Sequence, residues 1–168
     1  MPPARPAPSL ARRLLALWWI PVLMVVVGVG FFLSARRDDS GQITSAGSMN
    51  VTELVVGDCF DLEDDEATQV ENVNAKPCSE PHVYEVYHVS DLPAGDYPAE
   101  REISSIADSR CLAAFQPYVG LDYASSVLYY TYLTPTPDGW EQGDHTIQCV
   151  VFHPDLTAVS SSYRNYRQ

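Results

Sequence analysis

Apolar positions divide the chain into three zones. Residues 14–33, LLALWWIPVLMVVVGVGFFL, are apolar all round and carry no charge. Twenty such residues at helical rise reach about 30 Å, the thickness of a bilayer's hydrocarbon core. The run predicts one transmembrane helix, since only a helix satisfies every backbone group of a single segment in lipid. Trp18 and Trp19 near one end and Phe31 and Phe32 near the other fit the two interfaces. A secretory signal is the rival for this segment. Its apolar core is usually about 7–15 residues before a small-x-small site; here the run is longer and Gly28 and Gly30 lie inside it, which favours an uncleaved anchor.

The leader 1–13, MPPARPAPSLARR, is too poor in apolar residues to fold and reads as disordered. Residues 34–50, SARRDDSGQITSAGSMN, show no sustained period and predict a flexible linker. A folded domain is expected over 51–168, long enough for one core. Within it, 51–62 holds a β-type run broken by Gly57. Residues 70–89 read as two strands around a Pro-bounded turn at 76–81. In the second, Val83, Glu85, Tyr87 and Val89 alternate onto one face and His82, Tyr84, Val86 and His88 onto the other. Residues 98–115 predict the main helix: Pro98 opens it, Pro117 stops it, and Ile103, Ile106, Ala107, Cys111 and Ala114 form its buried stripe. Residues 127–133 and 145–152 read as strands separated by a Pro/Gly loop carrying Trp140, and the tail after Pro154 is expected to fray. The fold class is therefore α+β: a small domain with a short mixed or antiparallel sheet and one main helix, preceded by one transmembrane helix.

Charge adds a direction. All 22 acidic residues and five of the ten basic ones follow Arg37, so that part carries −17 and the first 37 residues +5. Such acidity argues against nucleic acid, which is bound largely through Lys and Arg, and against an anionic lipid surface. Three arginines before the span against two after it favour a cytoplasmic N-terminus. Four cysteines, all beyond the span, fit an oxidising compartment. Residues 38–168 are thus expected to be extracytoplasmic, on a single-pass membrane protein.

Cys111 falls on the helix stripe, and Cys149 shares a strand face with Ile147 and Val151. That favours Cys111–Cys149 and, by elimination, Cys59–Cys78, although four cysteines allow three pairings. Zinc, with His82 joining the cysteines, is the sharper alternative; it lacks the close ligand pairs zinc sites usually show, apart from Cys78 and His82. Six carboxylates between Asp58 and Glu66 lack the Asp/Asn alternation and central glycine of a calcium loop and read as a solvated turn. His82, His88, His145 and His153 are candidate general bases, but no G-x-S-x-G, H-E-x-x-H or phosphate loop surrounds them. No catalytic residue, cofactor or metal is expected. Tyr129, Tyr130 and Tyr132 read equally as an interface or a sheet strand.

GDCF (57–60), PCSEPH (77–82) with EVY (85–87), DLP (91–93) through GDYP (95–98), Arg110-Cys111, Leu133 with Pro135-Thr136, Trp140, Gly143-Asp144 and Cys149-Val150 stand in one order. Together they resemble the septum formation domain of actinobacterial single-pass membrane proteins, over about residues 52–155. The chain departs from the family pattern at Gly139 and His145, where Ser and Arg are usual. The resemblance implies a membrane-anchored envelope domain linked to septum formation and cell division, and no reaction. Its expected role is an interaction module for another membrane or wall-assembly protein. The expected contact surface is the PCSEPH turn with the Trp140 loop, with His82, Glu85, Trp140 and Asp144 in it. The alternatives are a wall-fragment sensor or binder and an envelope hydrolase.

Overall fold

The computed structural model describes residues 22–27, 34–63 and 69–168. The leader 1–13, most of the predicted span 14–33 and most of the acidic patch 63–66 lie outside the described residues. Residues 22–27 are helical and exposed; among the described residues no helix is long and apolar enough to cross a membrane. Residues 35–168 form a compact unit of their own.

Six antiparallel strands make its sheet: β3 (Gly47–Asn50), β4 (Cys59–Leu62), β5 (Asn72–Lys76), β6 (Tyr84–Asp91), β7 (Tyr129–Leu133) and β8 (Thr146–Phe152), in the order β3-β5-β4-β6-β8-β7. Helix α1 (Glu100–Val119) covers one face. Its Ile103, Ala107, Cys111, Phe115 and Tyr118 meet Tyr87, Ile147, Cys149 and Val151. The second face carries Phe60, Val73, Ala75, Val86 and Val150.

The second face is covered by residues expected to be a linker. Strands β1 (Arg36–Arg37) and β2 (Ile43–Ser45) form a ribbon, β3 joins the sheet beside β5, and a 3-10 turn (Val51–Glu53) follows. The domain thus begins at Ala35 rather than at residue 51. Only Ile43, Met49 and Leu54 here are buried apolar side chains, too few to set up a readable period. Hydrogen bonds supply the rest. Asp38 Oδ1 accepts from the N–H groups of Ser40 and Gln42 and from the Ser40 hydroxyl, which closes the ribbon's turn and holds its carboxyl below the usual range. Gln148, buried in β8, donates to the carbonyls of Val51 and Leu54 at 2.7 and 3.4 Å and pins the 3-10 turn to the sheet. Met49→Ala is therefore expected to cost about 2 kcal/mol, read as a lower urea midpoint; an unchanged midpoint would restore the linker reading.

Two further expectations are corrected. A β-bulge at Tyr87 separates the pairs Val86↔Val150 and His88↔Cys149. The extra residue flips the later part of β6, so Val89 packs with Val86 on the second face, against simple alternation. Helix α1 also runs past Pro117 to Val119. A proline in the last turn forfeits one hydrogen bond, and burial of Tyr118 and Val119 beyond it offsets that loss. Gly120, at φ 84°, ends the helix in the left-handed conformation, its N–H bonded to the Gln116 carbonyl.

The tail does not fray. Val159 exchanges two backbone hydrogen bonds with His82, and the N–H groups of Asn165 and Arg167 bond the carbonyls of Tyr118 and Val119. Tyr163 is wholly buried. The last residues therefore seal the C-terminal end of α1, which a Ser/Arg-rich composition concealed.

Candidate functional site

Two disulfides are formed, Cys59–Cys78 and Cys111–Cys149, and among the described residues no cysteine is free. They differ in setting. Cys111 and Cys149 are wholly buried between α1 and β8. Cys59 is buried at the start of β4, but Cys78, in the turn after β5, is half-buried and reaches the wall of a groove.

The groove has a volume of about 940 Å³ and lies between the ribbon turn at 40–44, the segment 55–59 and the turn 76–80, with Tyr118, Ser162 and Arg164 at its far side. Val55 and Val56 line it and are 48% and 43% exposed, forming an apolar lip. Most charges around it are paired. Arg37 grips Asp58 with both terminal nitrogens, at 2.6 and 2.5 Å, and Asp58 also accepts the Val55 N–H at 2.7 Å. The hydrogen bond to Asp58 raises the Arg37 pKa further. Lys76 pairs with Asp61 at 2.5 Å.

Behind the groove wall lies Glu85, wholly buried. Its carboxylate accepts the Tyr118 and Ser162 hydroxyls on Oε1 and the Tyr163 N–H on Oε2, each at 2.5 Å. Arg164 stacks over the Tyr118 ring at 4.2 Å. The network joins β6, α1 and the tail, so Glu85 is an internal clasp rather than an exposed contact. His82 is likewise wholly buried. Its Nδ1 lies 2.9 Å from the Glu80 carbonyl, and its ring meets Tyr163 edge-on.

Trp140 lies elsewhere. It sits on the short helix α2 (Pro137–Glu141), capped by Thr136, and forms a lid on the α1 side of the core. Its Nε1–H donates to the Gly95 carbonyl at 2.9 Å, and its ring packs on Tyr97 and, at 4.1 Å, on His145. Asp144 is half-buried, accepts the Thr146 N–H, and lines a separate concavity of about 460 Å³ with Tyr97, Leu133 and Thr146. The groove's lining does not include the Trp140 loop. The structure thus divides the expected surface: the PCSEPH turn lines the groove with buried Glu85 in its wall, Asp144 lines the other concavity, and His82 and Trp140 are buried.

The histidines have separate neighbours. His153 pairs with Asp155 at 2.7 Å, His145 lies on Trp140, and His88 stands opposite Cys149 in the sheet. Of the three tyrosines in β7, Tyr129 is 50% exposed, whereas Tyr130 and Tyr132 pack against the core. The sequence reading missed the lip valines, which a Gly-broken strand disguised, and the tail residues Ser162 and Arg164.

Burial raises the pKa of Tyr87 and Tyr118, the latter also through the neighbouring Glu85 carboxylate, and pushes Tyr163 up to about 12. In an unfolded chain tyrosine ionises near 10. A raised folded value means that the native state holds its protons while the unfolded state sheds them. The tyrosines' contribution to stability is therefore expected to be level below pH 10 and to fall steeply from about 10 through 12. Tyrosinate absorbance should show Tyr87, Tyr118 and Tyr163 among the ten tyrosines silent at pH 11 while the fold persists. Titration of all ten near pH 10 in folded protein would contradict this packing.

Residues 35–159 match the family model described as septum formation, and the chain belongs to that family. The matched segment begins where the ribbon begins. No curated protein and no solved structure matches the chain.

Proposed function

We propose that this member of the septum formation family acts in division as a membrane-anchored interaction module rather than an enzyme. A cytoplasmic leader and one span at 14–33 hold the folded domain outside the cytoplasm, where it docks a membrane or wall-assembly protein. The observation that carries this reading is the family match over 35–159. The uncharged twenty-residue run and the arginine bias around it support the anchor. Two disulfides in so small a domain support an oxidising location.

The groove beside Cys78 is the docking site in this reading. Its apolar lip, Val55 and Val56, is exposed on a domain whose residues 35–168 carry a net charge of −15. The occupant that fits is an extended, basic segment of the partner with an aliphatic side chain for the lip. A tagged full chain is expected to gather at division septa, and its deletion to disturb septation. Even distribution in dividing cells, with normal septation on deletion, would defeat the proposal. The second reading, a wall-fragment binder, draws on the concavity beside Asp144 and Tyr97; soluble wall fragments that shift the melting temperature of the purified chain would favour it.

A further inference from the structure

The Cys59–Cys78 disulfide has a third member beside it. Both sulfurs and a ring nitrogen of His82 lie within 4.8 Å of one another. His82 cannot readily move away, because its N–H and C=O are both bonded to Val159, each at 2.9 Å. Its Nδ1, 2.9 Å from the Glu80 carbonyl, must carry the proton, since a carbonyl only accepts. In the neutral ring Nε2 is then a bare lone pair, and among the described residues it is buried with no hydrogen-bond partner. An orphaned polar atom of that kind is costly and calls for a reason. A histidine that donates one ring N–H to a backbone carbonyl and keeps the other nitrogen free has the arrangement of a metal ligand.

We propose that reduction of Cys59–Cys78 converts this corner of the groove into a zinc site, with the Cys59 and Cys78 thiolates and His82 Nε2 as ligands. The reductant is a dithiol. One of its thiolates attacks the sulfur of half-buried Cys78, the S–S bond breaks, and wholly buried Cys59 leaves as a thiolate. The second thiol of the reductant then displaces Cys78, so the dithiol is oxidised to its own disulfide and the protein gains two electrons. Zinc binding drives any remaining thiol protons into solvent. Two thiolates and an imidazole are a donor set that suits zinc. Tetrahedral bonding asks for ligand atoms about 3.5–3.8 Å apart, so the sulfurs, about 2 Å apart while bonded, must part by nearly 2 Å, and the ring nitrogen, within 4.8 Å of both, closes by at most about 1 Å. Cys59 and Cys78 both line the groove, and three protein ligands leave a fourth zinc position for water or another donor. The inference does not depend on the docking reading and would stand if no septal partner exists.

The test uses the purified full chain, reduced with a phosphine, which supplies no competing thiol, and then given zinc or cobalt(II). After desalting, the reduced chain is expected to retain one zinc and the oxidised chain none. Cobalt should give thiolate charge-transfer absorption and the intense visible bands of a tetrahedral site. Cys59→Ser/Cys78→Ser should abolish retention, and His82→Gln should weaken it at least tenfold. Zinc should also shield Cys59 and Cys78 of the wild-type chain from alkylation, a readout that stands even if a variant fails to fold. No zinc on the reduced chain, unchanged binding by folded His82→Gln, or alkylation of both thiols at the same rate with and without zinc would overturn the proposal.

Discussion

Glu85→Ala is expected to destabilise the domain by about 3–4 kcal/mol, because it strands several buried donors at once. The Tyr118 hydroxyl, the Ser162 hydroxyl and the Tyr163 N–H all point at that one carboxylate from different parts of the chain. The Tyr163 N–H cannot turn to another acceptor, since the tail around it is fixed by the His82–Val159 bridge and by bonds to the end of α1. A cavity left in the wall between β6 and α1 adds to the loss. In thermal unfolding followed by circular dichroism, the midpoint should drop by about 10 °C. Glu85→Gln keeps the volume and one acceptor oxygen, and should lose about half as much. A change under about 1 kcal/mol for Glu85→Ala would show that the tail is not clasped as described.

Removing the inner disulfide has an effect of similar size through a different cause. Cys111→Ala/Cys149→Ala opens a loop with a sequence separation of 38, which the chain-entropy account values at about 4 kcal/mol. The corresponding change at Cys59 and Cys78, separated by 19, is valued at about 3 kcal/mol. The two also differ in access. Both sulfurs of the inner pair are wholly buried in the main core, whereas Cys78 meets the groove. Under mild reduction, Cys59 and Cys78 are therefore expected to be alkylated well before Cys111 and Cys149. Simultaneous opening would mean that the α1 side of the core breathes as readily as the groove.

Where side-chain period carried the signal, the fold was legible. The stripe Ile103, Ala107 and Cys111 located α1, the Pro-bounded turn at 76–81 located β5 and β6, and runs rich in β-branched and aromatic residues located β7 and β8. Facing stripes also brought Cys111 to Cys149. The rest lacked such a signal. Strand β3 buries only Met49, and its place in the sheet rests on backbone bonds to β5, while the 3-10 turn after it is held by Gln148 reaching across from β8. The bulge at Tyr87 inverts the facing of half a strand without any change in composition. Glu85 reads as a surface acid in an alternating strand, and nothing local announces that its donors come from residues 118, 162 and 163. The PCSEPH turn and the Trp140 loop share their turn chemistry, while long-range contacts send them to different parts of the domain.

The proposed docking reading meets its most direct test in photo-crosslinking within dividing cells. A photoreactive residue is placed at position 56 on the groove's lip and, as a control, at exposed Thr131 on the edge strand β7. The account predicts one discrete product from position 56, enriched at septa and absent from position 131. No product from position 56, or the same product from both positions, would contradict it.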